Sequence, residues 1–349
     1  MRVAIDATPL TLSSGGLRRY TLELSVALAE NFPQDEFFLV SDQAFRMPHT
    51  MPLNLRRGGG PTNPAERRWW LWGLDRELHR LGARLFHGTD FAVPYLPRRP
   101  SVLTLHDLSP WMDAAWHSDA DRVRQRTPLL IGLGLASMIV TPTEAVRKQV
   151  IERFRTHPDR IRAIPHAAAT SFRPVAAPPA PPFFLYAGTL EPRKNIGGLL
   201  AAWRQVRQLY PVDLVLAGRR RSDFAQLSSE PGLQIIGEVS DERLAELLAG
   251  TLAFVYPSFY EGFGLPVLEA MQCGACVITS RDPAISEVAA GAAIQAGSHA
   301  ELVQAMSSIA AHPDLAGPWR ERALRRAREF SWRRTAQLTR EVYEQALRR

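Results

Sequence analysis

Residues 256–278 read YPSFYEGFGLPVLEAMQCGACVI: an apolar strand, a turn with two glycines and a proline, a helix, and a second apolar strand. Pro266 suits the first position of that helix, where its missing N–H would have had no partner. The chain just before it, Gly262-Phe263-Gly264-Leu265, can then aim backbone N–H groups outward at a helix N-terminus, which holds a phosphate without a cation. Glu261 and Glu269 stand on either side, the second about one turn into the helix. Carboxylates this near an anion repel it unless they bind something neutral attached to it, and hydroxyl groups fit. A central diphosphate with a hydroxylated ring at each end describes a nucleotide sugar. The competing reading is an ordinary strand, turn and amphipathic helix with solvent-facing glutamates.

The surrounding chain has room for two domains of ordinary size: 349 residues, 46% apolar and 22% charged, a soluble globular composition. The longest apolar run, Pro128 to Val140, is too short to span a bilayer, and the N-terminus reads as a strand rather than a secretory signal. A cytoplasmic protein is expected, with contact at the inner membrane face open. The net charge of +7 favours anionic partners without choosing among them. Nucleic acid would be one, but no aromatic-basic fold signature supports it and none is expected. Lys148 and Lys194 are the only lysines. Cys273 and Cys276 spell C-x-x-C with no second pair for zinc, so they read as small core residues.

From the N-terminus, the strand Arg2–Asp6 leads through Gly15-Gly16 into a helix reaching about Asn31, the layout of a Rossmann-like phosphate site without its fingerprint. The glycine pair alone could equally be a flexible turn. A strand at 37–40, a mobile Gly/Pro-rich loop from Pro48 to Pro64, and a helix from Glu66 to Leu81 follow. That helix carries Trp69, Trp70 and Trp72 beside Arg67 and Arg68, a pattern that docks on a membrane surface or, more commonly, packs as half core and half solvated face. Strands at 83–87 and 101–106 end in the polar clusters His87-Gly88-Thr89-Asp90 and His106-Asp107, where open α/β sheets gather ligands. Asp119-Ala-Asp121 spells a D-x-D, but acidic residues opening a helix need no metal to explain them, and no metal is expected. Alternating elements continue to the strand 160–164.

Pro165 to Pro182 is rich in alanine and proline, including Pro178-Pro179, and reads as a linker. The pattern restarts with a strand at 183–187 and Gly188-Thr-Leu-Glu-Pro-Arg-Lys-Asn195. Arg193 and Lys194 open a helix there, against its dipole, so they are better explained as diphosphate ligands than as stabilisers. Strands at 212–216, 233–236 and 252–256 alternate with helices near Phe224 and at 241–249, implying a parallel sheet. The arginines from Arg320 to Arg328 read as a solvated helix face.

Taken together, E261-GFGLPVL-E269 with Ser258 and Ala270-Met271, GTLEPRKN (188–195), GEVSDERL (237–244), the GG loop and LHDLSP (105–110) resemble the family 4 retaining glycosyltransferases of the GT-B fold, along almost the whole chain. The resemblance implies an α/β protein of two Rossmann-like domains with parallel sheets facing across a cleft. The first, residues 1–165, would bind the acceptor. After a linker at 166–182, the second, residues 183–330, would bind the nucleotide sugar. The final helix, about 331–349, would pack back on the first domain. Arg193 and Lys194 would hold the diphosphate with the amides of Gly262, Phe263, Gly264 and Leu265 and the Gly15-Gly16 loop. Gly188 and Thr189 would line the donor, Glu269 would bind the ribose and Glu261 the donor sugar. Val239, in the segment Gly237 to Ser240, would lie near the base, and His106 near the sugar, with Asp107 a second acceptor-side positioner. The donor is a substrate and no cofactor is implied. GDP-mannose is the expected donor and a glycan or lipid-linked oligosaccharide the acceptor, with a UDP-sugar donor or a binding protein without turnover as alternatives. Glu261 and Glu269 could instead be a glycosidase pair, which their place beside a phosphate cradle argues against. Cys276, Ala167 and Ser286 depart from the family pattern, at positions that often hold proline, glycine and proline, and none removes a charged site residue.

Overall fold

The computed structural model describes residues 1–349 except 48–49, 118–119 and 177–179, and the side chain of residue 114. Pro48 of the expected loop, Asp119 of the D-x-D and Pro178-Pro179 of the expected linker therefore lie outside the described residues. In chain order the regular elements begin β1 (Arg2–Asp6), α1 (Gly16–Asn31), β2 (Glu36–Val40), β3 (Leu55–Arg57), α2 (Leu74–Arg80), β4 (Leu85–Gly88) and β5 (Ser101–Thr104). They continue with α3 (Asp121–Gly132), β6 (Met138–Thr141), α4 (Glu144–Phe154) and β7 (Ile161–Ala163). Next come β8 (Phe183–Ala187), α5 (Ile196–Arg207), β9 (Asp213–Ala217), β10 (Leu233–Gly237), α6 (Asp241–Gly250), β11 (Ala253–Tyr256) and α7 (Leu265–Gln272). The chain ends with β12 (Val277–Thr279), α8 (Pro283–Ala289), β13 (Ile294–Gln295), α9 (His299–Ala311), α10 (Ala316–Ala327) and α11 (Trp332–Arg348).

Two units result, residues 1–167 with 331–349, and residues 168–330. The first holds a parallel sheet in the order β3-β2-β1-β4-β5-β6-β7, the second a parallel sheet in the order β10-β9-β8-β11-β12-β13. Parallel strands are covered on both faces, which is why β4, β5, β6, β8 and β11 are buried along their whole length rather than on alternate residues. Each sheet starts in its middle, grows to one side and then crosses to the other. The reversal falls between β1 and β4 in the first unit and between β8 and β11 in the second. Ligands in such sheets bind beyond the carboxyl ends of the strands at that reversal.

Within the first unit, α11 lies against α1 and buries Trp332, Thr335, Ala336, Thr339, Val342, Tyr343 and Ala346, one stripe at helical spacing. Tyr343 also reaches the sheet, its hydroxyl 2.7 Å from His87 Nδ1, while His87 Nε2 meets Thr104 Oγ1 at 2.7 Å. Burial holds His87 down at about 3, so this strand-end histidine is a neutral structural link.

Several local expectations change. The loop after β2 contains the edge strand β3, because Leu55 has a buried place beside Phe37. The expected helix 66–81 is broken into a 3-10 turn (Pro64–Arg67), a π-helical turn (Trp69–Gly73) and α2. Glu66 is buried and accepts bonds from Thr62, Asn63 and Arg80, and Gly73 passes so close that a Cβ there would sit 2.1 Å from the Glu66 carbonyl oxygen. Trp69 is buried and Trp70 packs edge-on against Phe86, leaving Trp72 as the exposed one of the three. Ala168, Ala169 and Phe172, read as linker, belong to the second unit's core, with Gln272 donating to the carbonyls of Ala169 and Phe172. No helix forms at Phe224, where Arg220 and Arg221 tie a run of turns together. Arg320 and Arg326 do not simply face solvent: they donate to the carbonyls of Thr251 and Val288. Both cysteines are buried, and burial pushes each thiol up to about 12, as core residues rather than redox groups.

Candidate active site

In the second unit the loops after β8 and β11 flank the reversal point and bring together residues 67 positions apart. Lys194 Nζ donates to Glu261 Oε1 at 2.5 Å and to the Tyr256 hydroxyl at 2.7 Å. Arg193 Nη1 donates to Glu261 Oε2 at 3.2 Å and to the Tyr260 carbonyl at 2.8 Å, and its Nη2 to Glu191 Oε1 at 2.9 Å. Arg221 approaches the other Glu191 oxygen at 3.4 Å. Each of these carboxylates is thus shared by two cations, and Arg221 is held in addition by Asp223 at 2.5 Å, so three cations are braced by three carboxylates. Tyr186 and Tyr256 stack beneath, ring centroids 5.7 Å apart, and Asp282 accepts the Glu261 N–H at 3.2 Å.

The backbone of this site is built for close approach. Gly188 (φ 146°) follows β8 and Gly218 (φ 134°) follows β9, and a Cβ on Gly218 would lie 2.1 Å from the Gly188 carbonyl oxygen. Lys194 ends a 3-10 turn, Pro192–Lys194, and Asn195, left-handed at φ 54°, caps α5 by accepting the Gly198 N–H. Thr189 accepts the Tyr186 hydroxyl at its carbonyl. On the opposite loop Gly264 (φ 86°) turns the chain into α7, whose first residues are Leu265 and Pro266. Gly262, Phe263 and Glu269 are buried around that helix start, and Val239 packs against the same core.

Burial alone would raise the Glu261 pKa, but the charges of Lys194 and Arg193 and the hydrogen bond from Lys194 outweigh it, taking the group down to about 2. Because the folded value lies below the ordinary 4.5, the stabilisation is complete above about pH 4.5 and is lost as pH falls towards about 2. The difference corresponds to about 3 kcal/mol. Thermal unfolding scanned between pH 5 and pH 2 should therefore show a steeper loss of Tm for the wild type than for Glu261→Gln, and parallel curves would count against the ion-paired arrangement.

In the first unit the residues picked out from the sequence occupy the carboxyl ends of β1, β4 and β5. Gly15 (φ 108°) caps α1 and Gly16 is its first residue. His106 Nε2 lies 2.7 Å from the Thr89 carbonyl, which can only accept, so Nε2 carries the proton. Burial lowers the His106 pKa, and Tyr20 packs edge-on against the ring at 4.8 Å. Asp107 accepts from both the backbone N–H (2.9 Å) and the hydroxyl (2.6 Å) of Ser109, holding the turn after His106. Asp121 is exposed and pairs with Arg124 at 2.8 Å. Glu191, Arg221 and Asp282 were not singled out from the sequence, Asp90 was named only within the polar cluster after β4, and Tyr256 only as the start of the stretch 256–278. Glu191 stands inside the GTLEPRKN segment and was the one with a local signal.

Two parallel Rossmann-like sheets, with a carboxylate-braced cation cluster at the reversal point of the second, place the chain among the doubly wound α/β proteins that present ligands at that point. The comparisons narrow the class. The family described as Glycosyltransferase Family 4 matches residues 14–172, and that described as Glycosyl transferases group 1 matches residues 168–326. O-antigen chain mannosyltransferase B of Escherichia coli is 34% identical over 287 residues, 74% of this chain and 74% of the relative. Sucrose-phosphate synthase from Thermosynechococcus elongatus superposes with a TM-score of 0.77 at 19% identity, covering 99% of this chain and 98% of that one. Anabaena HepE in complex with UDP-glucose superposes at 0.73 and 16% identity, covering 99% of both. The chain belongs to the family 4 and group 1 glycosyltransferases, of the GT-B fold, and is a glycosyltransferase. Among the described residues no helix is long and apolar enough to cross a membrane.

Proposed function

We propose that this enzyme moves a hexose, mannose from GDP-mannose, to a hydroxyl of a glycan or lipid-linked acceptor in polysaccharide assembly, with retention at the anomeric carbon and without a metal. The observation that carries the reading is the Arg193–Glu261–Lys194 triad between the loop after β8 and the start of α7. A leaving diphosphate develops negative charge as the bond from the anomeric carbon to phosphate oxygen breaks. Two cations whose positions are already fixed by the site's own carboxylates stabilise that charge without reorganising. The acceptor oxygen attaches to the anomeric carbon on the face the phosphate leaves, and its proton passes to the departing phosphate oxygen. Glu261 keeps lone pairs beyond the two cations it serves, so it can still accept a hydroxyl of the donor sugar. Glu269 takes the ribose, the loop Gly262 to Leu265 and Gly188-Thr189 surround the diphosphate, Val239 lies by the base, and His106 and Asp107 serve the acceptor side.

Mannose is supported by the E. coli mannosyltransferase relative. A UDP-sugar donor is the second reading, supported by the UDP-glucose bound to HepE. Thermal unfolding with a panel of nucleotide sugars separates them. GDP-mannose at a hundred times its Kd should stabilise by about 2.7 kcal/mol. A shift with UDP-sugars alone moves the assignment to the second reading, and no shift with any nucleotide sugar contradicts both.

A further inference from the structure

The turn after β4 in the first unit is pinned from four sides. Thr89 Oγ1 donates to the Asp6 carbonyl at 2.9 Å, and the Thr89 carbonyl accepts from His106 at 2.7 Å. Phe91 N donates to the Thr104 carbonyl at 3.3 Å, and the Phe91 carbonyl accepts from Thr127 Oγ1 at 3.0 Å. Phe91 itself is left-handed, at φ 53°, a conformation a non-glycine residue keeps only where its surroundings over-determine it. At the centre of these restraints stands Asp90. Its Oδ1 is fully buried and has no hydrogen-bond partner among the described residues, and the same holds for Nε of Arg126.

The charged neighbours are Asp6 from the end of β1, Asp107 from beyond β5 and Arg126 from α3. Neutral His106 stands at the end of β5 on the same turn. Asp42, beyond β2, acts on Asp6, and Tyr95 and Arg122 act on Arg126. Burial first, then Asp6, raises the Asp90 carboxyl to about 7, with Arg126 pulling the other way. Two further carboxylates discourage an anion at this spot, and Arg126 discourages a cation. Hydroxyl groups suit both a carboxylate acceptor and a guanidinium donor. The position, beside the reversal of the first sheet, is where such a fold presents ligands.

We propose that Asp90, with Arg126 beside it, hydrogen-bonds the hydroxyls of the acceptor glycan that neighbour the attacking one, and so positions the acceptor on the first unit. This rests on the glycosyltransferase reading given above and adds a residue to it. The ionised carboxylate accepts two hydroxyl hydrogens where the protonated form accepts less well, so acceptor binding should weaken as pH falls through about 7.

The test is steady-state transfer from GDP-mannose to a mannobiose glycoside, comparing the wild type with Asp90→Asn. Asparagine keeps the shape and removes a charge that burial already disfavours, so the variant is expected to fold, and Asp90→Ser serves as a second variant. Asp90→Asn should raise the acceptor KM roughly 10- to 100-fold, the loss expected for a hydrogen bond to a charged group. The KM for GDP-mannose and the slow hydrolysis of donor by water should be unchanged, and the rise of acceptor KM below pH 7 expected of the wild type should be absent. An acceptor KM and pH profile equal to the wild type's in both variants overturns the inference alone. A wild type that makes no product from any nucleotide sugar overturns the glycosyltransfer reading and the inference with it.

Discussion

Lys194→Ala is expected to lower the transfer rate by about 10²- to 10³-fold, the usual cost of removing one preorganised group that stabilises transition-state charge, while the second unit stays folded. The fold should survive because Glu261 remains paired with Arg193 at 3.2 Å, so no carboxylate is left buried alone. What disappears is one of the two cations that Glu261 fixes in place. The measurement is kcat with GDP-mannose and a mannobiose glycoside, alongside a melting curve. Turnover near the wild-type value in a folded variant would sink the assignment of Lys194.

Glu261→Ala should behave differently, because it strands the buried Lys194 and removes one of Arg193's two carboxylate partners. Lys194 would lose its pairing with Glu261, while Arg193 would keep Glu191 on its other side. Breaking a buried ion pair by removing one member costs about 3–5 kcal/mol. In a unit of this size that is a Tm loss of roughly 6–20 °C. Glu261→Gln keeps the volume and a hydrogen-bond acceptor, so it should melt closer to the wild type yet transfer at least 10²-fold more slowly. The pair of variants separates stability from chemistry. If Glu261→Ala melts with the wild type, the carboxylate is not what holds these cations in place.

Much of this site was legible because its parts are local. Glycine, proline and glutamate spacing in residues 256–278 needs only one turn and one helix to have meaning, and Arg193-Lys194 at a helix start is odd on electrostatic grounds alone. The joining of the two was not legible. It depends on β8 lying next to β11, a pairing that sequence periodicity does not encode. The same applies to Glu191 with Arg221, and to Asp282, which reads as an ordinary helix cap until its second oxygen is seen on the Glu261 backbone. The tryptophan segment misled for a related reason. Its spacing suits one helix, but burying Glu66 with its partners and bringing Gly73 against it breaks the segment into a 3-10 turn, a π-helical turn and the short helix α2. Asp90 was visible as a polar residue at a strand end. Its special feature, a buried carboxyl oxygen without a hydrogen-bond partner among the described residues, inside a fully pinned turn, is a property of the packing.

The central claim is that the cations beside Glu261 serve a leaving nucleoside diphosphate. Incubating the protein with GDP-mannose and a mannose-terminated oligosaccharide, and following released GDP together with the lengthened glycan, tests it most directly. The account predicts equal amounts of both, undiminished in chelator and reduced at least 10²-fold in Lys194→Ala. GDP and product formed at wild-type rates by Lys194→Ala, or product formed only when a divalent metal is restored, would contradict it.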